Sequence, residues 1–196
     1  MAKGTSNRKA AYPIDDTYIE RWSPRAFSDK KVDKEVLFSL FEAARWAPSA
    51  ANKQPWRFVY ATEKEDRDTF LTFINDGNTI WCKKAPVLIA IVAHKRWSED
   101  SDSVNPTYAF DTGTAWGFLA LEARRQGLIT HGMGGFDRDK AKETLQIPDG
   151  HEVLAIVAAG YQGDKDTLPE ALQAREEPSD RNSINTFIHE GLYVRK

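Results

Sequence analysis

The chain has 196 residues, of which 41% are hydrophobic and 29% charged, a balance typical of a soluble domain with a substantial core. Its net charge is −2, so we do not expect nucleic acid as a partner, because phosphate binding needs a basic surface. No run of about 18 apolar residues occurs, so no membrane span is predicted. With one cysteine, Cys82, and no signal-like apolar stretch near the amino terminus, we expect a cytoplasmic protein.

The apolar pattern predicts helices and strands within one domain. Residues 1–12 are small and polar, so we expect a flexible tail there and a single domain over residues 13–196. Gly127 follows the longest predicted helix, where a glycine commonly ends one. The pattern is compatible with an α/β or an α+β fold. Helices are predicted over 15–22, 33–47, 65–75, 108–126 and 138–146, and strands over 57–62, 86–93 and 152–159.

About 36 residues follow Gly160, and most of them are polar and irregular. A compact domain rarely carries so long a segment without regular structure. We therefore expect this segment to be an arm that reaches over a partner subunit.

The first polar segment with chemical potential is the run from Arg21 to Phe27, RWSPRAF. Arg21, Ser23 and Arg25 offer planar guanidinium groups and a hydroxyl close together, which suit a phosphate. Taken alone, the segment is better explained as a solvated turn with two ordinary surface arginines.

Two further segments have unusual composition. Residues 47–56, APSAANKQPW, combine two prolines with Ser, Asn and Gln, and such a loop could hold a flat ring with polar edges. A plain helix-to-strand connection is the alternative. Residues 132–137, GMGGFD, would let a ligand approach the backbone closely. The glycine spacing is not that of the dinucleotide fingerprint, and an ordinary turn is the alternative here.

In this order, the three motifs resemble those of the nitroreductase family of flavoproteins, and the resemblance extends from about residue 16 to residue 192. It implies an α+β homodimer with a central, mostly antiparallel sheet flanked by helices and a carboxy-terminal arm exchanged between subunits. It also implies two FMN molecules at the dimer interface, with NADH or NADPH as electron donor.

The resemblance assigns expected roles to the amino-terminal motif. Arg21 and Ser23 match positions that reach the FMN phosphate and ribityl chain. Arg25 matches a position near the pyrimidine edge of the ring, where a cation favours the reduced flavin. Trp22 lies among these cofactor-binding positions. Arg181 resembles a late basic position that closes over the phosphate.

The remaining expected positions surround the ring. A loop from the other subunit should cover the flavin, and its matching residues are Pro48, Ser49, Ala50, Asn52 and Gln54. Asn78 resembles a ribityl or ring-edge asparagine, and Trp81 occupies a place where some members carry Lys. Met133, Gly134 and Gly135 match the place where a backbone N–H points at flavin N5.

The function implied is reduction of nitroaromatic, quinone or similar acceptors by a ping-pong mechanism, with the chemistry at the flavin and no catalytic side chain. The alternatives are another flavin reaction, such as dehalogenation or an oxidase step, and a non-catalytic flavin-binding protein. No metal is expected, because no metal-ligand spacing relates the four histidines, His94, His131, His151 and His189.

Overall fold

A four-stranded antiparallel sheet forms the centre of the protein, in a computed structural model that describes residues 8–193. The strand order is β1-β2-β4-β3, so β2 and β4 are central and β1 and β3 are the edges. Helices lie on both faces, and the α+β expectation is confirmed. The strands are β1 (Trp56–Ala61), β2 (Val87–His94), β3 (Ile129–Met133) and β4 (His151–Gly160).

Seven α-helices accompany the sheet within residues 8–193. Three short 3₁₀ helices add Ala50–Asn52, Lys165–Thr167 and Ile184–Thr186. No helix in this part of the chain is long and apolar enough to cross a membrane. The α-helices are α1 (Asp16–Glu20), α2 (Lys34–Arg45), α3 (Lys64–Leu71), α4 (Asp76–Cys82), α5 (Tyr108–Arg125), α6 (Arg138–Thr144) and α7 (Glu170–Gln173).

Strand β2 shows why the centre of the sheet is apolar on both faces. All eight of its residues are buried, because alternate side chains point to opposite faces and each face carries helices. One set packs with α3, α4 and α6, and the other lies on the side of α2. The continuous apolar run predicted as a strand is therefore confirmed.

The structure departs from the predicted elements at β3 and around α4. Strand β3 has only five residues, ITHGM, and its edge position allows a glycine and a partly exposed histidine that weaken the strand pattern. The helix predicted over 65–75 is also wrong in its extent, because α3 ends at Leu71 and α4 begins at Asp76. Between them, Ile74 forms a β-bridge with Phe136, which takes the backbone out of helical geometry.

The segment after Gly160 remains largely exposed. It holds only short helical turns, and several of its apolar side chains face solvent, including Phe187, Leu192 and Tyr193. The exchange of an arm between subunits stays a prediction. At the other terminus, residues 1–7 of the expected tail lie outside the described residues, while Arg8 bonds to the folded chain.

Candidate functional site

The segment after α1 is fixed along the edge strand β3. The Arg21 N–H caps α1 by donating to the Thr17 carbonyl at 3.0 Å. His131 Nδ1 on β3 lies 3.0 Å from the Pro24 carbonyl oxygen, so Nδ1–H is the donor in this contact. Trp22 is half-buried and lines a small cleft with Leu128 and other residues at the start of β3. The segment therefore runs beside the first residues of β3.

Three arginines converge at this end of β3. Arg8 donates to the carbonyl oxygens of Ser179 at 2.7 Å and of Arg21 at 3.0 Å. The Arg21 guanidinium lies 3.5 Å from Ser23 Oγ, and Arg181 donates to both Ser179 oxygens at 3.2 Å. Arg21 and Arg181, which the sequence placed at one phosphate, are thus brought together. Arg8 was missed because it belongs to a segment expected to be a tail.

The electrostatics of this cluster favour an anion. Burial lowers the pKa of Arg21, and the charges of Arg181 and Arg8 lower it further. Burial and the charge of Arg181 also lower the pKa of Arg8, while Asp180 opposes that shift. Guanidinium groups held close together repel one another, so a multivalent oxyanion between them would relieve the repulsion. The arrangement suits a phosphate monoester.

Glu176 is a buried carboxylate that sets the position of Arg25. Its Oε1 accepts the backbone N–H groups of Arg25 at 2.6 Å and Ala26 at 2.8 Å. Its Oε2 lies 3.9 Å from Arg25 Nη1 and has no hydrogen-bond partner. The carboxy-terminal segment is therefore tied to the amino-terminal motif. Nothing in the sequence distinguished Glu176 from the other acidic residues of a polar segment.

The loop over residues 48–54 has a strained, exposed backbone. Ala51, Asn52 and Gln54 have φ of 47°, 53° and 48°, a region that non-glycine residues rarely adopt. Ser49 Oγ accepts the Gln54 N–H at 3.0 Å. The Gln54 amide donates to the backbone and side-chain oxygens of Asn52. Pro48 and residues 51–54 are exposed, and Ser49 and Ala50 are half-buried.

Asp111 on α5 holds this loop by a hydrogen bond to its backbone. The side chain is 3% exposed, and its Oδ2 accepts the Ala50 N–H and the Thr107 hydroxyl, each at 3.0 Å. These two hydrogen bonds fix the position of Ala50 relative to α5. Asp111 lies inside an apolar helix pattern, so sequence reasoning did not single it out.

Residues at the far end of β3 form a second part of the site. Asn78 lies in α4, and its Nδ2 donates to the Gly135 carbonyl at 3.2 Å, which also accepts the Asn75 N–H at 3.1 Å. A Cβ on Gly135 would lie 2.9 Å from Asn78 Nδ2, so a larger residue there would displace the Asn78 amide. Gly134 is exposed. The Met133 side chain is in the core, which leaves only its backbone for a ligand.

Trp81 and Cys82 belong to the core and not to the site surface. The Trp81 ring lies 4.5 Å from the His131 ring and 6.3 Å from the Phe27 ring, between centroids. Cys82 is fully buried, and burial raises its pKa to about 12, so the thiol stays protonated. Cys82 therefore has the environment of an unreactive buried thiol.

The predicted site residues fall at opposite edges of the sheet. The motif from Arg21 to Arg25, together with Gly134 and Gly135, lies along β3, whereas the loop over 48–54 precedes β1. Three inter-strand spacings of about 4.8 Å separate those edges. One chain therefore holds the two groups of residues apart.

Comparison with known proteins identifies the family of this chain. The family model described as Nitroreductase family matches residues 18–81 and 74–161, which is most of the chain. This chain belongs to the nitroreductase family. A relative from Xanthomonas oryzae pv. oryzae that carries the name NADH dehydrogenase/NAD(P)H nitroreductase is 31% identical over 77% of this chain and 86% of its own.

Solved structures agree with the fold. A crystal structure described as an oxidoreductase containing FMN is 42% identical, covers 98% of each chain and superposes with a TM-score of 0.93. A Clostridium acetobutylicum protein whose name is NADH oxidase is 26% identical over 91% of this chain and all of its own, with a TM-score of 0.70. The protein is an oxidoreductase of this family.

The anchoring role of Asp111 generates a first prediction. Asp111→Ala should lower the free energy of unfolding by about 1.5–3 kcal/mol, because hydrogen bonds to a charged group are lost and the strained loop loses its support. Urea unfolding at fixed protein concentration measures this. Asp29→Ala, an exposed substitution, is the control and should stay within about 0.5 kcal/mol of the parent. Equal stability of the two variants would contradict the role of Asp111.

Proposed function

We propose that the protein is an FMN-dependent NAD(P)H oxidoreductase that reduces nitroaromatic, quinone or similar acceptors by a ping-pong mechanism, as a homodimer. The observation that carries the proposal is the pairing of an arginine cluster at one end of β3 with a glycine-lined backbone at its other end. The cytoplasmic location and the single domain over residues 13–196 stay predictions.

The residues at both ends of β3 fit FMN. The cluster of Arg8, Arg21 and Arg181 matches one phosphate monoester, and Ser23 adds a hydroxyl beside it. A strand of five residues spans roughly 17 Å, so a ligand whose phosphate is held at its start can place a ring near Gly134 and Gly135. The backbone there is accessible because neither residue carries a side chain.

Bound FMN supplies the redox chemistry, by accepting hydride from NAD(P)H and passing electrons to an acceptor. The chain supplies position and charge. Arg25, held by Glu176, places its guanidinium at the pyrimidine edge of the ring. Asn78 fixes the Gly135 backbone, so that a N–H of the Gly134–Gly135 turn can face N5. Trp22 closes the cleft at the start of β3.

A homodimer completes this site. The loop over residues 48–54 does not reach β3 of its own chain, and in a dimer it would cover the partner's flavin with Ser49, Asn52 and Gln54. One face of α5 supports such an interface, because Phe110 is 78% exposed and Gly113 and Gly117 would each accept a Cβ without any contact in their own chain. Ala120, on the same helix, is buried within its own chain.

Cofactor identity and turnover test the central proposal. Heat-denatured protein should release FMN, identified by chromatography, because the arginine cluster suits one terminal phosphate and the sequence lacks a dinucleotide fingerprint. NADH or NADPH should bleach the bound flavin under anaerobic conditions, and a nitroaromatic or quinone should restore its colour. Recovery of FAD would contradict the cofactor assignment. Bleaching reversed only by oxygen would favour an oxidase, and absence of bleaching would favour a non-catalytic flavin-binding protein.

The dimer proposal makes its own prediction. Light scattering should give twice the chain mass of 22.2 kDa for the flavin-loaded protein. Gly117→Leu should shift the protein towards monomer and weaken flavin binding, because a Cβ at this position meets nothing within 4 Å in its own subunit, whereas the leucine side chain would block close approach of a second helix. Thr69→Leu, on an exposed face of α3, is the matched control. A monomeric parent, or a dimer unaffected by Gly117→Leu, would argue against this interface.

Arg25 should tune the flavin, whereas Arg21 should only bind it. Arg25→Ala removes a cation that favours negative charge on the pyrimidine edge, so flavin affinity should fall and the midpoint potential should drop. The loss of a hydrogen bond to a charged group, about 1.5–3 kcal/mol, corresponds to roughly 30–65 mV for a two-electron couple. Glu176 partly neutralises Arg25, so a value near the lower end is expected.

Potentiometric titration of both variants with excess FMN provides the measurement. Arg21→Ala should weaken FMN binding and leave the midpoint potential unchanged, because its charge lies at the phosphate end. An unchanged potential in Arg25→Ala would remove Arg25 from the ring edge and leave it a phosphate ligand.

A further inference from the structure

Two histidines far apart in the sequence meet at one end of the central strand pair. His94 ends β2 and His151 begins β4, and the antiparallel register makes them direct Cα partners. They lie outside the redox site proposed above, because β3 pairs with the other half of β4, from Ile156 to Gly160. No local spacing in the sequence signals this pair, since the sheet register alone creates it.

The backbone geometry brings these two side chains close. The His94 N–H donates to the Pro55 carbonyl at 2.8 Å, and the His151 N–H donates to the Pro148 carbonyl at 3.2 Å, so neither N–H bonds across the pair. In such non-hydrogen-bonded antiparallel pairs the side chains approach most closely. The ring centroids of His94 and His151 are 4.7 Å apart, and both residues are buried.

A carboxylate completes the group. Glu99, in the segment between β2 and α5, places its Oε2 3.7 Å from His94 Nε2. One ligand atom from each of His94, Glu99 and His151 lies within 4.8 Å of the others. Among residues 8–193 this is the one cluster of three potential ligands of this kind.

We propose that His94, His151 and Glu99 bind a divalent transition metal ion of the zinc class. Two imidazoles and one carboxylate are a common ligand set for such ions, with water at the fourth position. In a tetrahedral site with bonds of about 2.0–2.1 Å, neighbouring ligand atoms are about 3.3 Å apart. The three side chains must therefore close slightly around the ion. Glu99 can make most of that adjustment because its side chain is 72% exposed.

The surroundings select among ions. Arg57 and Arg96 lie close enough to His94 to act on it electrostatically. The neutral imidazole is the form that coordinates a metal. The two nearby arginines disfavour a weakly bound cation, and one carboxylate is too few for calcium, which takes six to eight oxygen ligands. An ion that bonds strongly to nitrogen fits this environment.

The same geometry indicates what the ion would do. His151 Nδ1 lies 3.5 Å from the Asp149 carbonyl oxygen, a contact that orients the ring and leaves Nε2 for the metal. Coordination by Glu99 would tie the segment between β2 and α5 to the ends of the central strands. Because the His94 N–H binds the Pro55 carbonyl, the ion would also sit beside the base of the loop over residues 48–54.

Calorimetric titration of chelator-treated, tag-free protein with Zn²⁺ tests the site. We expect one ion per chain, and a loss of affinity of roughly tenfold or more in His94→Gln and in His151→Gln. Glu99→Gln should weaken binding several-fold and serves as the variant least able to disturb folding, because the residue is exposed. His189→Gln, outside the cluster, should bind Zn²⁺ as the parent does.

Zinc-edge X-ray absorption gives an independent readout of the ligands. The parent protein should show two imidazoles and lighter oxygen ligands, and His151→Gln should show at most one imidazole. Absence of stoichiometric binding would overturn the proposal. So would equal affinity of the parent and the His94→Gln/His151→Gln double variant, or an affinity unchanged in Glu99→Gln.

Discussion

The pairing of β2 with β4 is the constraint on which the rest of the structure depends. Both strands are almost wholly apolar and have helices on each face, so they can occupy only the middle of the sheet. Their register then fixes which segments lie at the edges and at the ends of the sheet. It sends β1 and β3 to opposite edges, separates the loop over residues 48–54 from the segments along β3, and makes partners of two distant histidines at one end of the pair. The separation of the two groups of candidate site residues is thus a consequence of core packing.

Two buried carboxylates attach the polar segments to this apolar centre. Glu176 accepts the N–H groups of Arg25 and Ala26, and Asp111 accepts that of Ala50. In each case a charged acceptor organises backbone donors in a segment with no regular secondary structure. Burial of a charge is costly unless it is paired in this way, so each carboxylate links the stability of the fold to the shape of the site. Through Glu176 and Arg181, the carboxy-terminal segment thus helps to position the amino-terminal motif.

The sequence predicted most of the helices and three of the four strands, because long apolar patterns report burial directly. It failed at β3, where a short edge strand with His131 and Gly132 has little apolar pattern, and between α3 and α4, where a tertiary β-bridge interrupts the chain. The candidate site residues divide in the same way, into those that motifs predict and those that only tertiary contacts define. Arg21, Ser23, Arg25, Asn78 and Gly135 were accessible through motifs. Arg8, Asp111 and Glu176 were not, because their importance comes from contacts across the fold, and the same holds for the pairing of His94 with His151.

The strained loop bears on why the protein should assemble. Ala51, Asn52 and Gln54 each have a positive φ, and such conformations cost roughly 1–3 kcal/mol apiece in non-glycine residues. The loop covers no part of the proposed redox site in its own chain, and residues 51–54 are exposed. The strained shape therefore has no evident use within the subunit that maintains it. Asp111, Ser49 and Gln54 nevertheless hold that shape through hydrogen bonds. A rigid, outward-facing loop of this kind binds a ligand with a small loss of conformational entropy. In the homodimer proposed above, this strain would preorganise the loop for a flavin on a second copy of the chain.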